Sequence, residues 1–404
     1  MIKLSKFPFK TLKTVPNGSD NKSTWILLQA GFIRQTMAGV YTYTTLWLKV
    51  LRKIENIVRE EMNNYGAFES LLPALSPKEI WEKTGRWDSI DVMFHLPAAN
   101  NKEFWLNSTH EELITPLMWD FIQSYKDLPI CVYQIQNKFR NEKRAKSGLL
   151  RWREFLMKDA YSFHSSNEDF EKYYEWIKWV YLKIFERLGL WEDTIIALAD
   201  WWTFTDKYSH EFQVKIEVGE DTIYKCSDCG VNFNEELIDL NKGFKCVKCN
   251  CEKSEKFSAS EIWNIFPLET KFTSTFWVKY LAENNKMETP LMWCYGIWVS
   301  RAMWLIAEKF AWEKWIKWPE SVAPAKYYIV AIWEESLEKV DEIIKKWNLD
   351  KSEIILDDRM WKKIGFGQKI WDAELLWIPN VIVISPKTLE ENSYELNWKL
   401  IKIK

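Results

Sequence analysis

Two pairs of cysteines constrain the fold of this chain more than any other feature. Cys226 and Cys229 form one Cys-x2-Cys pair, and Cys246 and Cys249 form a second pair after 16 intervening residues. Two tight turns that each present two thiolates suit a tetrahedral zinc ion at this separation. The spacing therefore predicts a structural zinc module with no open coordination position for catalysis. The alternatives are a module that has lost its metal and four unrelated cysteines.

The composition is that of a globular protein of two or three domains, with 404 residues, of which 47% are apolar and 28% charged. The net charge is -2, so a nucleic-acid partner would have to bind a local basic face. The N-terminal segment lacks the apolar core of a signal peptide, and no run of about 18 apolar residues suggests a membrane span. With seven cysteines in addition, we expect a reducing, cytoplasmic location and no membrane partner.

The pattern of apolar residues divides the chain at Pro319 and Pro324. After them, strands alternate with helices, which predicts a small α/β domain with a largely parallel sheet. Before them, strands and helices occur in runs, as in an α+β domain built on an antiparallel sheet. The clearest predicted elements are helices at 46–64, 167–189, 300–312 and 366–377, strands at 68–75 and 290–300, and a strand pair at 149–163.

Four polar strings could carry chemistry, although each has an ordinary structural explanation. Residues 109–112, Thr-His-Glu-Glu, resemble a helix start with a capping threonine and acidic residues in the first turn. Arg140 and Glu142 could form a solvated ion pair, and a lone His210 is usually structural. Arg301 stands at a predicted strand-to-helix junction, which by itself says little.

Taken in order, these strings closely resemble the bacterial-type prolyl-tRNA synthetases. The resemblance rests on THEE, YQIQNKFRNEKR with REFLMKDAYSFH, YSHEFQV and CYGIWVSR, and it extends from about residue 30 to the C-terminus. It implies the class II synthetase fold, an antiparallel sheet with flanking helices. The three class II motifs would be 50–75, 133–163 and 290–312, the first of which is usually a dimer interface. The implied domains are a catalytic domain in two parts (1–210 and 261–318), a zinc-binding insertion (211–260) and an anticodon-binding domain (319–404).

The resemblance also implies a set of residues for ATP. Arg140 would bind the α-phosphate and the substrate carboxylate, and Arg301 would bind the far phosphates. Glu142 would contact the adenine, Phe155 would stack on it, and Arg151 would complete the ATP site. Arginine forks suit phosphate oxygens because they bind two at once. Magnesium would bridge the phosphates, and positioning and charge stabilisation would replace a nucleophilic side chain.

For L-proline, the resemblance implies that Thr109 and Glu111 bind the imino nitrogen and that His210 lines the pocket. The partner is then tRNA(Pro), and a homodimer is expected. The interval from His210 to Trp263 is too short for the inserted editing domain of longer relatives, so we expect no editing in cis. Because a missing methylene gives only about 10–200-fold discrimination, a separate editing protein would have to remove mischarged alanine.

Tryptophan is far too common in this chain, with 26 copies against 13 glycines. Average glycine usage is about 7%, roughly twice the value here. Family strings that read GCYGIGVSRAMG are here WCYGIWVSRAMW, and further tryptophans fall where related sequences have glycine. The suspect positions are Trp152, Trp201, Trp202, Trp263, Trp277, Trp293, Trp298, Trp304, Trp315, Trp361, Trp371 and Trp377.

These substitutions suggest that a UGA codon, which some bacterial genetic codes read as glycine and another reads as tryptophan, underlies the suspect positions. Trp81, Trp87 and Trp318 are expected to be genuine, and an indole at Trp298 would fill the nucleotide pocket. The alternative to the codon hypothesis is a paralogue that is genuinely rich in tryptophan. The alternatives to the implied function are a tRNA-binding paralogue that is catalytically dead and a class II synthetase for another amino acid.

Overall fold

The computed structural model describes residues 1–14, 21–142, 152–199, 209–239, 241–360, 364–391, 393–397 and 399–402. The chain forms two compact units. Of the described residues, unit 1 contains those within 1–54 and 303–402, and unit 2 contains those within 55–142 and 152–302. No helix in the described ranges is long and apolar enough to cross a membrane.

The described helices are α1 (Lys22–Gln29), α2 (Thr45–Asn64), α3 (Lys78–Lys83), α4 (Glu111–Trp119), α5 (Asn167–Leu188), α6 (Lys271–Thr275), α7 (Val299–Lys309), α8 (Glu334–Lys346), α9 (Phe366–Leu376) and α10 (Pro386–Glu390). The described strands are β1 (Ile2–Lys3), β2 (Ile33–Met37), β3 (Val40–Tyr43), β4 (Phe68–Glu69), β5 (Leu75–Pro77), β6 (Phe94–Pro97), β7 (Glu103–Leu106), β8 (Ile130–Phe139), β9 (Glu154–His164), β10 (Thr194–Ala199), β11 (Ser209–Lys215), β12 (Asp221–Cys226), β13 (Asn232–Asn234), β14 (Ser254–Glu269), β15 (Tyr280–Leu281), β16 (Met287–Glu288), β17 (Leu291–Ile297), β18 (Tyr327–Ala331), β19 (Ile354–Asp357), β20 (Asn380–Ile384), β21 (Ser393–Leu396) and β22 (Lys399–Lys402).

Unit 2 is built on a nine-stranded sheet with the order β11-β10-β13-β12-β14-β17-β9-β8-β4. Its centre is antiparallel: β9 pairs with β8 on one side and with β17 on the other. Helix α5 packs against β9 and β17 and is defined at both ends by its sequence. The side chain of Ser166 accepts a hydrogen bond from the backbone N–H of Asp169, and Gly189 ends the helix with a φ of 76°. The predicted antiparallel α+β core is confirmed.

The cysteine-bearing segment grows out of this sheet. The 16-residue strand β14 pairs with β12 through its first half and with β17 through its second half. The segment that carries the Cys-x2-Cys pairs is therefore anchored directly to the strand beside the cavity. The boundary of the predicted insertion, 211–260, falls inside both β11 and β14, and it remains a prediction.

Unit 1 contains a six-stranded sheet with the order β1-β19-β18-β20-β21-β22. The first four strands are parallel, and β21 and β22 are antiparallel to their neighbours. Helices α8 and α9 pack against β18, as a βαβ arrangement requires. The predicted α/β character of the C-terminal part is confirmed, but the pairing of Ile2 and Lys3 with β19 was not anticipated.

Several local predictions differ from the structure in instructive ways. The strand pair predicted at 149–163 is a single strand, β9, which pairs with β8. The single strand predicted at 68–75 is two separate strands, β4, which covers only Phe68–Glu69, and β5, which begins at Leu75. Pro73 lies between them and has no backbone N–H to donate to a neighbouring strand. The long helices at 167–189 and 366–377 agree with α5 and α9 within one residue.

Candidate active site

A cavity of about 460 Å³ opens in unit 2, at the face of the central strands. Its walls come from β9, β11, β14 and β17, from the segment before α4, and from the residue that precedes α7. The lining residues are Arg86, Ser89, Ile90, Asp91, Val92, Ser108, Thr109, Glu111, Arg140, Met157, Asp159, Glu211, Glu236, Glu261, Asn264, Phe266, Cys294, Gly296 and Trp298. Three predicted site residues, Thr109, Glu111 and Arg140, are among them.

One end of the cavity is organised around the buried carboxylate of Glu111. The hydroxyl of Thr109 and the thiol of Cys294 both donate to this carboxylate, the thiol over 3.1 Å. Burial raises the pKa of Cys294 well above its usual value, so the thiol keeps its proton. Arg86 lies 3.5 Å from the carboxylate and pairs more closely, at 2.9 Å, with Glu112. This end thus presents an oriented negative charge to the cavity.

Further buried polar groups surround the Thr-His-Glu-Glu string and hold it in place. His110 Nε2 lies 2.9 Å from the carbonyl of Pro73, and burial lowers its pKa to about 4, so the ring is neutral at pH 7. Lys138 forms an ion pair of 2.7 Å with Asp159, itself a lining residue. Ahead of the string, the amide of Asn107 donates to Pro73 over 3.0 Å. This hydrogen bond helps to hold the loop that precedes Thr109 in place.

The other end of the cavity is cationic. Burial lowers the pKa of the Arg140 guanidinium below its ordinary value, although it remains far above neutrality. Arg301 donates to the carbonyl of Glu261 over 2.7 Å and lies 3.4 Å from the carboxylate of the same residue. Among the described residues, Nε of Arg140 and Nε of Arg301 are buried without a hydrogen-bond partner. Two such donors beside a cavity suit an anion with several oxygens.

The indole of Trp298 occupies the space between these cationic groups. Its ring stacks on Phe155, with centroids 4.6 Å apart and planes 17° from parallel. The guanidinium carbon of Arg301 lies 4.1 Å from the indole centroid, and that of Arg140 lies 4.5 Å away. Three predicted partners of the nucleotide, Phe155, Arg140 and Arg301, therefore surround position 298, and they already hold an aromatic ring.

Carboxylates from β11 and β14 form the wall beside the arginines. Glu211 accepts hydrogen bonds from Asn234, at 3.0 Å, and from Asn264, at 3.3 Å. Burial and the neighbouring Glu261 raise the pKa of Glu211 well above its usual value. Burial likewise raises the pKa of Glu261, an effect that Arg301 opposes. Two buried carboxylates of which one raises the pKa of the other suit a divalent cation with a preference for oxygen ligands.

Four predicted site residues are absent from the cavity lining, and one lies outside the described residues. Of the four, Phe155 and Arg301 lie against the indole of Trp298, which is itself a lining residue. His210 neighbours Glu211 on β11, but its ring packs against Tyr174 of α5, with centroids 5.2 Å apart. Adjacent strand residues face opposite sides, so Glu211 faces the cavity and His210 does not. Glu142 is also absent from the lining, and its backbone carbonyl accepts from Arg153 at 3.0 Å. Arg151 lies outside the described residues.

Sequence reasoning missed several residues that shape the site. Arg86 and Glu261 escaped notice because neither belongs to a string with an evident chemical role. Glu211 stands one position after His210 in the same SHEF string, and the alternation of strand residues could have selected it. Cys294 was inside a recognised string but had no assigned role.

The four predicted metal-ligating cysteines come together in unit 2. The sulfur atoms of Cys226, Cys229, Cys246 and Cys249 all lie within 4.8 Å of one another. Two of the sulfur pairs, Cys226 with Cys249 and Cys229 with Cys246, are 3.5 Å apart. A tetrahedral ion with bonds of about 2.3 Å requires sulfur atoms about 3.8 Å apart, so this donor set could hold a metal.

Comparison with known proteins agrees with this geometry. The family model for the class II tRNA synthetase core domain (G, H, P, S and T) matches residues 94–310. Proline–tRNA ligase of Wolbachia pipientis wMel is 35% identical over 407 residues, which cover 98% of this chain and 94% of that protein. Proline–tRNA ligase of Sulfurihydrogenibium sp. is 32% identical over 540 residues, which cover 97% of this chain and 95% of that protein.

Solved structures show the same fold. Giardia lamblia prolyl-tRNA synthetase in complex with prolyl-adenylate superposes with a TM-score of 0.74 at 20% identity, over 92% of this chain and 71% of that chain. The antiparallel sheet, its cavity and the matched core domain define a class II aminoacyl-tRNA synthetase. Within that class, near full-length identity of about one third shows that the chain belongs to the prolyl-tRNA synthetase family.

Proposed function

We propose that this chain activates L-proline with ATP and transfers it to tRNA(Pro). In the first step a carboxylate oxygen of proline attacks the α-phosphorus of ATP, the bond to the β-phosphate breaks, and pyrophosphate leaves. In the second step a ribose hydroxyl at the tRNA 3′ end attacks the prolyl carbonyl, and AMP leaves. The observation that carries the proposal is a cavity with a carboxylate at one end and two arginines at the other.

At the carboxylate end, Glu111 pairs with the secondary ammonium of proline. Its burial and its hydrogen bonds from Thr109 and Cys294 keep the charge in one orientation. The pairing is strong because Glu111 is only 1% exposed, and burial strengthens the attraction between opposite charges. On β11, Glu211 lines the cavity and His210 does not, which supports a role for Glu211 in contacting the substrates.

At the cationic end, Arg140 binds the proline carboxylate and the α-phosphate, and Arg301 binds the more distant phosphates. The arginines stabilise the negative charge that develops as the phosphorus is attacked, without having to reorganise. Phe155 stacks on the adenine. When bound, magnesium would neutralise the phosphates, and the cavity residues Glu211, Glu261 and Asn264 are the oxygen donors that would hold it.

The four cysteines hold a structural zinc ion in this proposal. A set of four thiolates has no open position, so the ion stabilises the turns attached to β12 and β14 and takes no part in the reaction. Thiolate ligands require a reducing compartment, which is consistent with seven free cysteines and a cytoplasmic location.

The chain further acts as a homodimer and does not edit in cis. Strand β4 forms the edge of the nine-stranded sheet, and the neighbouring Phe68 and Leu71 are 65% and 73% exposed. An apolar edge of this kind suits a second copy of the chain. The segment between His210 and Trp263 holds the cysteine turns, so removal of alanine from tRNA(Pro) falls to a separate protein.

Exchange of labelled pyrophosphate into ATP tests the proposal. It is measured with proline, alanine and a panel of other amino acids, on the chain as written and on a form in which the suspect tryptophans are glycine. Exchange that depends on proline, in either form, is the expected result. Exchange that depends on a different amino acid would replace proline as the substrate.

A second candidate function is a tRNA-binding protein without activation, and the indole of Trp298 among the nucleotide partners favours it. Retention of Thr109, Glu111, Arg140 and Arg301 around one cavity weighs against it, because a protein without substrates has no need of them together. Binding of tRNA(Pro) with no exchange by either form would establish this second function.

A further inference from the structure

The residue at position 298 controls whether the cavity can accept a nucleotide. The indole of Trp298 already makes the contacts that a purine base would make, with Phe155 stacked at 4.6 Å and Arg301 4.1 Å from its centre. An aromatic ring and a guanidinium are the ordinary partners of a flat base. A base and the indole cannot occupy this space together.

Backbone bonds hold Trp298 at this place. Its N–H donates to the carbonyl of Ile262 over 3.0 Å, and its own carbonyl accepts from the N–H of Ala302 over 2.8 Å. Position 298 is thus hydrogen-bonded to β14, and it is the N-cap residue of α7. A tryptophan has no side-chain acceptor for this capping position, whereas glycine is among the preferred residues there.

Backbone angles elsewhere point in the same direction. Eight described residues other than glycine have a positive φ, and five of them are asparagine, which tolerates this conformation. Two of the remaining three are tryptophans: Trp277, with a φ of 59°, and Trp377, with a φ of 43°. Trp377 ends α9 in the left-handed conformation, a position that glycine usually occupies.

From these observations we infer that the working enzyme carries glycine at position 298, as at 277 and 377, and that an indole at 298 closes the base-binding part of its cavity. The inference rests on the proposed function, because it identifies the occupied space as the site of ATP. It also explains why a chain with 26 tryptophans and 13 glycines retains the complete set of substrate-binding residues.

The first test uses the protein isolated from its source cells. Trypsin releases the peptide 287–301, which contains positions 293 and 298, and its fragment masses identify both residues. Glycine at 298 is the expected result. Tryptophan at 298 would overturn the inference, whatever the activity of the protein, and this result does not depend on the folding of any variant.

The second test compares the chain as written with Trp298→Gly and with the control Trp312→Gly. Trp312 is 62% exposed and lies in the turn after α7, outside the cavity lining. Proline-dependent exchange should rise about 100-fold or more in Trp298→Gly, the equivalent of restoring one base-stacking site, and should hardly change in Trp312→Gly. Proline-dependent exchange that is measurable and equal in the chain as written and in Trp298→Gly would overturn the inference while leaving the proposed function intact.

A third outcome separates the two claims. If no form exchanges pyrophosphate with proline, yet the native peptide carries glycine at 298, the proposed function fails and the inference about the residue stands. Trp298→Ala then measures whether free space or glycine itself is required, since alanine also removes the indole. Nucleotide binding by Trp298→Ala close to that of Trp298→Gly is the expected result.

Discussion

The two ends of the same cavity are prepared for their substrates to very different degrees. Around Glu111, the hydroxyl of Thr109 and the thiol of Cys294 donate to a carboxylate that lines the cavity. Around Arg301, the indole of Trp298 fills the space next to the guanidinium and covers Phe155. The polar framework is intact at both ends, and a single side chain makes the difference between them.

This difference separates what a fold requires from what a reaction requires. An indole at 298 satisfies the packing of Phe155 and Arg301, so the sheet and helix α7 form around it without disruption. The nucleotide, by contrast, needs that space empty. The same residue, Trp298, is therefore compatible with the fold and incompatible with the binding of the nucleotide. This conflict is visible only in the geometry of the site.

The largest expected effect concerns the end of the cavity around Glu111. In a chain with glycine at 298, Glu111→Gln should lower kcat/KM for proline about 100- to 1,000-fold, because the secondary ammonium loses its buried charge partner. Steady-state exchange kinetics would show this as a higher KM for proline with little change for ATP. The exposed Glu168→Gln serves as the control. An unchanged KM for proline would remove Glu111 from the substrate site.

Loss of the metal should affect stability more than chemistry. Cys246→Ser removes a fully buried ligand, so the bound zinc should fall well below one ion per chain and the free energy of unfolding should drop by several kcal/mol. Metal analysis and thermal unfolding measure the two effects. Cys251→Ser is the matched control, because Cys251 lies outside the group of four sulfurs. Equal zinc loss in both variants would contradict the assigned ligand set.

Acid stability should distinguish His210 from the cavity residues. Burial lowers the pKa of His210 to about 4, from an ordinary value of 6.5. The ring is neutral in the fold and takes up a proton more readily in the unfolded chain. Its contribution to stability is therefore complete above pH 6.5 and is lost as the pH falls towards 4, by at most about 3 kcal/mol.

His210→Gln should flatten this part of the stability profile, as urea unfolding between pH 4 and pH 7 would show. The same variant should leave the KM for proline nearly unchanged, because the His210 ring packs on Tyr174 rather than in the cavity. A large rise in that KM would restore His210 to the proline pocket.

The smallest effect concerns the backbone at positions away from the cavity. At Trp277, where φ is 59°, glycine should be more stable than alanine by about 1 kcal/mol, since a side chain in the left-handed region is strained. At Trp179, inside α5, the order should reverse by about the same amount. Urea unfolding of the four variants measures both differences. The same sign at both positions would contradict the strain at Trp277.

Much of the fold could be predicted because its signals are local. The sequence around α5 has a serine cap, a regular apolar stripe and a terminal glycine, and the helix ends within one residue of its predicted limits. The pairing of β1 with β19 had no such signal, since Ile2 and Ile355 are far apart in the sequence. The length of β14 was equally hidden, because half of it extends the sheet and the other half supports the cysteine turns.

The candidate site shows the same limit at the level of single residues. Thr109, Glu111 and Arg140 were found through strings that also carry the family resemblance, and they meet in the cavity. On β11, His210 was chosen where Glu211 faces inward, because a shift of one residue along a strand exchanges its two faces. Which residues of β11 face the cavity depends on the register of its pairing with β14, and this register cannot be read from the sequence.

The most direct test of the contrast between the two ends is to titrate the chain as written, and separately Trp298→Gly, with proline and with ATP in a calorimeter. The account predicts that proline binds both forms with similar affinity, whereas ATP binds Trp298→Gly about 100-fold more tightly than the chain as written. Equal ATP affinity in the two forms would contradict it, because the indole would then not occupy the place of the base.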